Sequence, residues 1–262
     1  IVFGDWSSDV CSSDLVSVRP LSSMPGSRAV GTGEAPLVVS DGRWIYLADE
    51  ISLFPRREEN RDLYKCLVRL ESAHTEFGTF DFDLERTLEA MGLPPVDPEA
   101  AEGSDLERFF RIFPDPGLAR DLFTVFEQGR IRRILTRVYP GLARSAFPFL
   151  IAAASQAAHG ENGPDLLARL YRRVALGEDP AAGSGPDSGL LDAVEARFRE
   201  RITAESGVND VGMLVHAVYP MVQRPAECHG PLKPLSPPFG RSLRPDLRFS
   251  AHLEVERLAG RI

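Results

Sequence analysis

Apolar residues return every three or four positions through most of the chain, the spacing that puts them on one face of an α-helix. The clearest run is Leu63, Leu67, Leu70, His74 and Phe77, which predicts a helix capped by Asn60 or Asp62 and reaching about Phe77. A short helix is expected from Asp83 to Met91, ended by Gly92 and the prolines after it, and another from Asp105 to Phe113. Pro116 opens a long one, "PGLARDLFTVFEQGRIRRILTRVY", stopped by Pro140 and Gly141. Four more are expected near Ala143–His159, Pro164–Leu176, Leu190–Glu205 and Asp210–Gln223. "PLVVSDGRWIYLADEISLF" breaks this rhythm, placing β-formers on both sides of an Asp-Gly turn signal, and predicts a small β-hairpin. The fold class that follows is mainly α, a multi-helix bundle with a small N-terminal β-hairpin.

The periodic part spans residues 37–223 and reads as the helical domain. Residues 16–36, rich in Ser, Gly and Pro, read as a linker, and the lone "GTG" at Gly31 to Gly33 lacks the third glycine of a phosphate loop. "GEDPAAGSGPDSG" from Gly177 reads as a flexible connection, and residues 224–248, with six prolines, as an extended linker. Residues 249–262 read as the start of a following segment, cut short. The first stretch, "IVFGDWSSDVCSSDL", has neither period nor capping residues. Every codon from Ile1 to Leu15 is compatible with a common sequencing-library adapter, so residues 1–15 are expected to be a translated artefact and are set aside.

Composition narrows the functional classes. The formal charge is −8, and setting aside Asp5, Asp9 and Asp14 leaves −5, which argues against a nucleic-acid-binding surface. An apolar fraction of 43% suits a globular domain. Without Cys11, only Cys66 and Cys228 remain, in a helical run and a proline-rich loop, so a reducing, cytoplasmic setting is expected. The longest apolar run, from Phe147, is too short to span a bilayer, so no membrane insertion is expected.

The first helix carries the one suggestive chemistry. In His-Glu-x-x-His the two imidazoles share a helix face and grip zinc, while the glutamate deprotonates a zinc-bound water. The same frame here reads Leu70-Glu71-Ser72-Ala73-His74. Glu71 stands where the general base belongs and His74 where the second ligand belongs, but Leu70 has no lone pair to offer. Glu127, on the long helix, is the candidate third ligand, and zinc would need His74 and Glu127 to converge on one point. The bland alternatives are that Glu127 pairs with Arg130 and that His74 is a core histidine hydrogen-bonded to a neighbour. Cys228 and His229 with His216 and His252 match no zinc module. "GRIRRILTR" from Gly129 and "LARLYRRV" from Leu167 concentrate arginines at helical spacing beside acids, which reads as an exposed face. In "FGTFDF", Gly78 can take the positive φ of a helix stop, with the phenylalanines as core anchors. There is no Gly-x-Ser-x-Gly for a serine nucleophile.

Four blocks, "IYLADEI", "RDLYKCLVRLESAHTEFGTFDFDL", "DLFTVFEQGRIRRILTRVYPGL" and "GVNDVGMLVHAVYPMV", together resemble the N-terminal helical region of the NorD/CbbO-type von Willebrand factor A domain-containing activation proteins. The resemblance covers most of Asp41 to Gln223. Glu71, His74, Phe77, Gly78, Thr79, Phe80, Glu127 and Arg130 match that family's blocks, whereas Leu70 and Gln128 depart from them. It implies a MoxR-type AAA+ ATPase as one partner and a client metalloenzyme as the other. It also implies a degenerate zincin-like helix that has lost a ligand. No zinc or other cofactor is expected in this fragment. Mg²⁺ would belong to the Asp-x-Ser-x-Ser site of a von Willebrand A domain beyond Ile262, since none occurs here. The expected function is that of a non-enzymatic accessory scaffold; the alternative is a degenerate zinc metallopeptidase-like domain.

Overall fold

The structure, a computed structural model, describes residues 17–24, 36–40, 44–95, 103–157, 165–178, 187–223, 232–235 and 239. The adapter-like start, the "GTG", the Asp41-Gly42 turn, most of the Gly177–Gly189 connection and residues 249–262 lie outside the described residues. Among those described, three strands and eight helices form, so the mainly helical expectation holds. They cluster into two compact units: one takes residues up to Phe77 together with Phe239, the other runs from Gly78 to Leu235.

The first unit holds β1 (Ser17–Pro20), β2 (Val38–Ser40), β3 (Trp44–Leu47) and α1 (Arg57–Glu76). The expected hairpin is present as β2 antiparallel to β3, with Val38 opposite Leu47 and Ser40 opposite Ile45. It is half of a larger object. β1, from the segment expected to be linker, runs parallel to β3 on its other edge, making a three-stranded mixed sheet in the order β1-β3-β2. Four residues, Pro20 among them, are too short a run to betray a strand. What seats β1 is pairing with a distant partner, and the Arg19 guanidinium lies 3.4 Å from the Trp44 ring centroid. Pro20 is tolerated because β1 is an edge strand.

α1 packs on β2 and β3, burying Leu63, Tyr64 and Leu67 against a core that includes Ile45, Leu47 and Ile51. It begins at Arg57, a turn earlier than Asn60 or Asp62 would set it. Asn60 is inside the first turn and braces the approach to it: its side chain accepts from Phe54 N (2.9 Å) and donates to the carbonyls of Phe54 (2.7 Å) and Arg56 (3.1 Å). The Tyr64 hydroxyl donates to the Ala48 carbonyl at 2.6 Å, and burial pushes this phenol up to about 12. Phe239, from the stretch expected to be extended linker, is buried here, its carbonyl accepting from Leu37 N and Val38 N.

The second unit contains α2 (Leu84–Met91), α3 (Asp105–Phe110), α4 (Pro116–Val138), α5 (Pro140–Ala157), α6 (Leu166–Leu170), a π-helical turn (Tyr171–Leu176), α7 (Ser188–Arg201) and α8 (Val208–Val222). Local sequence sets their ends. Asp83 accepts from Arg86 N, Ser104 and Glu107 form a capping box, and Asp115 accepts from the amides of Gly117 and Leu118. Gly92 and Gly177 close α2 and the π turn in the left-handed region. Pro140 both ends α4 and opens α5 at a position where its missing N–H costs nothing.

α4 is the axis of this unit. It is buried on every side, from Leu118, Leu122 and Phe123 through Phe126, Ile131 and Leu135, and packs against α3, α5, α6, the π turn and α8. Phe82, Phe109, Phe110, Phe113 and Phe123 form an edge-to-face aromatic cluster around its first turns, and Tyr219 joins it 4.8 Å from Phe113. Leu235, from the proline-rich stretch, is anchored by its amide on the buried carboxylate of Asp121 (2.8 Å).

Candidate functional site

The zinc-like frame lies on the last two turns of α1, in the first unit. Leu70 is half-buried and continues the apolar stripe of Leu63 and Leu67, in place of an imidazole. His74, one turn on, is buried, and it is not without a partner. Glu71 is partly buried, and burial pushes its carboxyl up to about 7, high for a glutamate. Cys66, on the same helix, is pushed up to about 11 by burial, which leaves it a thiol.

Glu127 belongs to the second unit, at mid-α4, and is fully buried. Its charge is spoken for. Arg130, three residues on and equally buried, grips it with both arms of the guanidinium: Nε donates to Oε2 at 2.8 Å and Nη2 to Oε1 at 2.6 Å. The Thr79 hydroxyl, with no exposed surface, donates to the same Oε1. Arg130 Nη1 in turn donates to the Ser206 carbonyl at 3.2 Å, in the connection between α7 and α8. A carboxylate and a guanidinium this deep are tolerable only because each satisfies the other in bidentate geometry and neighbours take up the remaining donors. The arrangement pins the "FGTF" loop and the α7–α8 connection to α4. For Glu127 to ligate a divalent cation it would have to release Arg130, whose charge would then repel that cation at contact distance.

Pairing of Glu127 with Arg130 was readable from their spacing, since residues three apart share a helix face. Thr79 and Ser206 were not: Thr79 was singled out only as part of the "FGTF" block, and Ser206 not at all. Gly78 does take the left-handed conformation expected of it, with φ +66°. His216 stands exposed on α8, while Cys228, His229 and His252 lie outside the described residues. Among the described residues, no three His, Cys, Asp or Glu side chains cluster so as to hold a metal ion, and no helix is long and apolar enough to cross a membrane.

No protein-family model matches the chain, and neither a curated protein nor a solved structure does.

Proposed function

We propose that this chain is a non-enzymatic helical scaffold region of a cytoplasmic protein that works with a MoxR-type AAA+ ATPase to activate or remodel a client metalloenzyme. The observation that carries the reading is the engagement of both Glu127 oxygens by Arg130 and Thr79. That carboxylate serves to hold chain segments together, and Leu70 withholds a second donor. The order and spacing of the four sequence blocks supply the partner. The test is affinity capture of the tagged chain from its native host, followed by mass spectrometry. An AAA+ ATPase enriched over a mock capture is the expected result, and its consistent absence would count against the reading.

One observation favours a degenerate zinc metallopeptidase-like domain instead. A glutamate near 7 is poised as general bases are, half-ionised at working pH. In that reading Glu71 is the base, and His74 and Glu127 are ligands completed by a substitute donor. It requires Glu127 to abandon a buried ion pair, so the scaffold is preferred.

A further inference from the structure

The two arginine-rich runs, expected to be solvated faces, meet each other in the second unit. Arg132 and Arg133 of α4, Arg173 of the π turn and Arg199 of α7 converge on a cavity of about 190 Å³, with Glu178 and Glu195 as its acids. The acids are already engaged. Glu178 is held by Arg172 (Oε1 to Nη2, 2.6 Å), and Glu195 is shared between Arg173, at 2.5 Å, and Arg199. Asp192 is also on Arg173, at 2.6 Å. Among the described residues, five guanidinium groups therefore face three carboxylates.

The two positive charges left over belong to Arg132 and Arg133. Among the described residues neither is paired with a carboxylate: Arg132 Nε donates to the Val174 carbonyl at 3.3 Å, and Arg133 Nη1 donates to that of Ile202. Both are partly buried, and Arg133 also lies over the Phe198 ring at 4.8 Å. An arginine cannot shed its proton to relieve such crowding. Burial, and then the neighbouring Arg133, hold Arg132 below its ordinary value; burial and Arg199 do the same to Arg133. The backbone is shaped around them. Gly177, at φ +76°, gives up its side chain where a Cβ would stand 2.5 Å from Arg132 Nη1. It closes a π-helical turn, a rare geometry that recurs beside functional sites.

We propose that this cavity, between α4, the π turn and α7, binds a small phosphoryl dianion, either inorganic phosphate or the phosphate of a compact phosphomonoester. Two unspent guanidinium charges match a dianion where a lone carboxylate would leave one over, and guanidinium forks suit tetrahedral oxyanions. The cavity holds roughly six waters' volume at about 30 Å³ each. That admits a phosphate and is smaller than the pockets that enclose drug-sized ligands, which start near about 300 Å³. The site is independent of the scaffold reading.

The whole chain is titrated with inorganic phosphate and, separately, glycerol phosphate, following the unfolding temperature and the ³¹P resonance, with sodium chloride at matched ionic strength as control. Saturable stabilisation by phosphate, absent with chloride, is expected. Arg132→Gln should weaken binding about tenfold or more, as loss of a charged donor does. Arg199→Gln, at an exposed position, gives a second reading should Arg132→Gln not fold. Glu195→Gln should tighten binding, because it removes a competing negative charge while keeping its shape. Equal response to the two ligands assigns a phosphomonoester site, and response to phosphate alone assigns the free ion. No saturable binding, an equal effect of chloride, or unchanged affinity in both arginine variants overturns the proposal.

Discussion

A buried charge is safe only while its partner is present, and this makes Glu127 and Thr79 distinguishable. Glu127→Gln leaves the Arg130 guanidinium uncompensated beneath the surface, so it should cost about 3–5 kcal/mol in urea unfolding. Thr79→Val removes one donor and leaves the ion pair whole, for about 1–2 kcal/mol. The ranking is the test: if the threonine substitution costs more, the charge pair is not what holds this region. Glu71 gives a pH dependence. Its folded value, about 7, lies above its ordinary 4.5, so the folded state holds the proton more tightly. That contribution is complete below about pH 4.5, is lost as pH rises to about 7, and is flat above. Glu71→Gln should flatten this slope and be more stable than the parent at pH 8, by about 2 kcal/mol after allowing for partial exposure. Equal stability of the two chains from pH 4.5 to 8 would show that Glu71 is well solvated.

Helices were the most legible elements, because caps and breakers act within a few residues. Asp83, Asp105 and Pro116 mark their starts in the sequence, and the structure adds Ser104 and Asp115 as the caps before the last two. Asn60 misled because it resembles a cap while bracing the preceding loop from inside the first turn. β1 and the π turn were illegible for the same reason as each other: one is a four-residue strand paired to a segment far along the chain, the other a change of winding inside a continuous helical period. Gly129 shows how contact overrides propensity. On α4 an alanine would gain about 1 kcal/mol of helix propensity. Its Cβ would, however, stand 2.7 Å from the Phe198 ring and 2.9 Å from Val174, both buried. Overpacking of that kind costs about 1–3 kcal/mol. Gly129→Ala should therefore lower stability by about 1 kcal/mol in chemical denaturation, and a gain would mean that α7 and the π turn yield.

For the molecule taken whole, composition conceals what matters locally. A chain of formal charge −8 gives no sign of an anion site, yet two runs forty residues apart bring their arginines around one cavity. The functional choice is also made at this scale, since a catalytic zinc needs three ligands gathered from separate segments. Chelator-washed chain is expected to carry well under one equivalent of zinc by elemental analysis. One equivalent tightly retained would favour the peptidase-like reading over the scaffold. Local pattern was enough for the mainly helical class and for most helix starts and stops, because each depends on neighbours within a turn or two. Long-range packing brought Thr79 and Ser206 to the Glu127–Arg130 pair, chose the carbonyls that Arg132 and Arg133 meet, and decided whether those charges are buried at all. The cost of burying a charge depends on the dipoles and counter-charges gathered around it, and, beyond Arg130, those supplied by Thr79, Ser206, Val174 and Ile202 come from dozens of residues away.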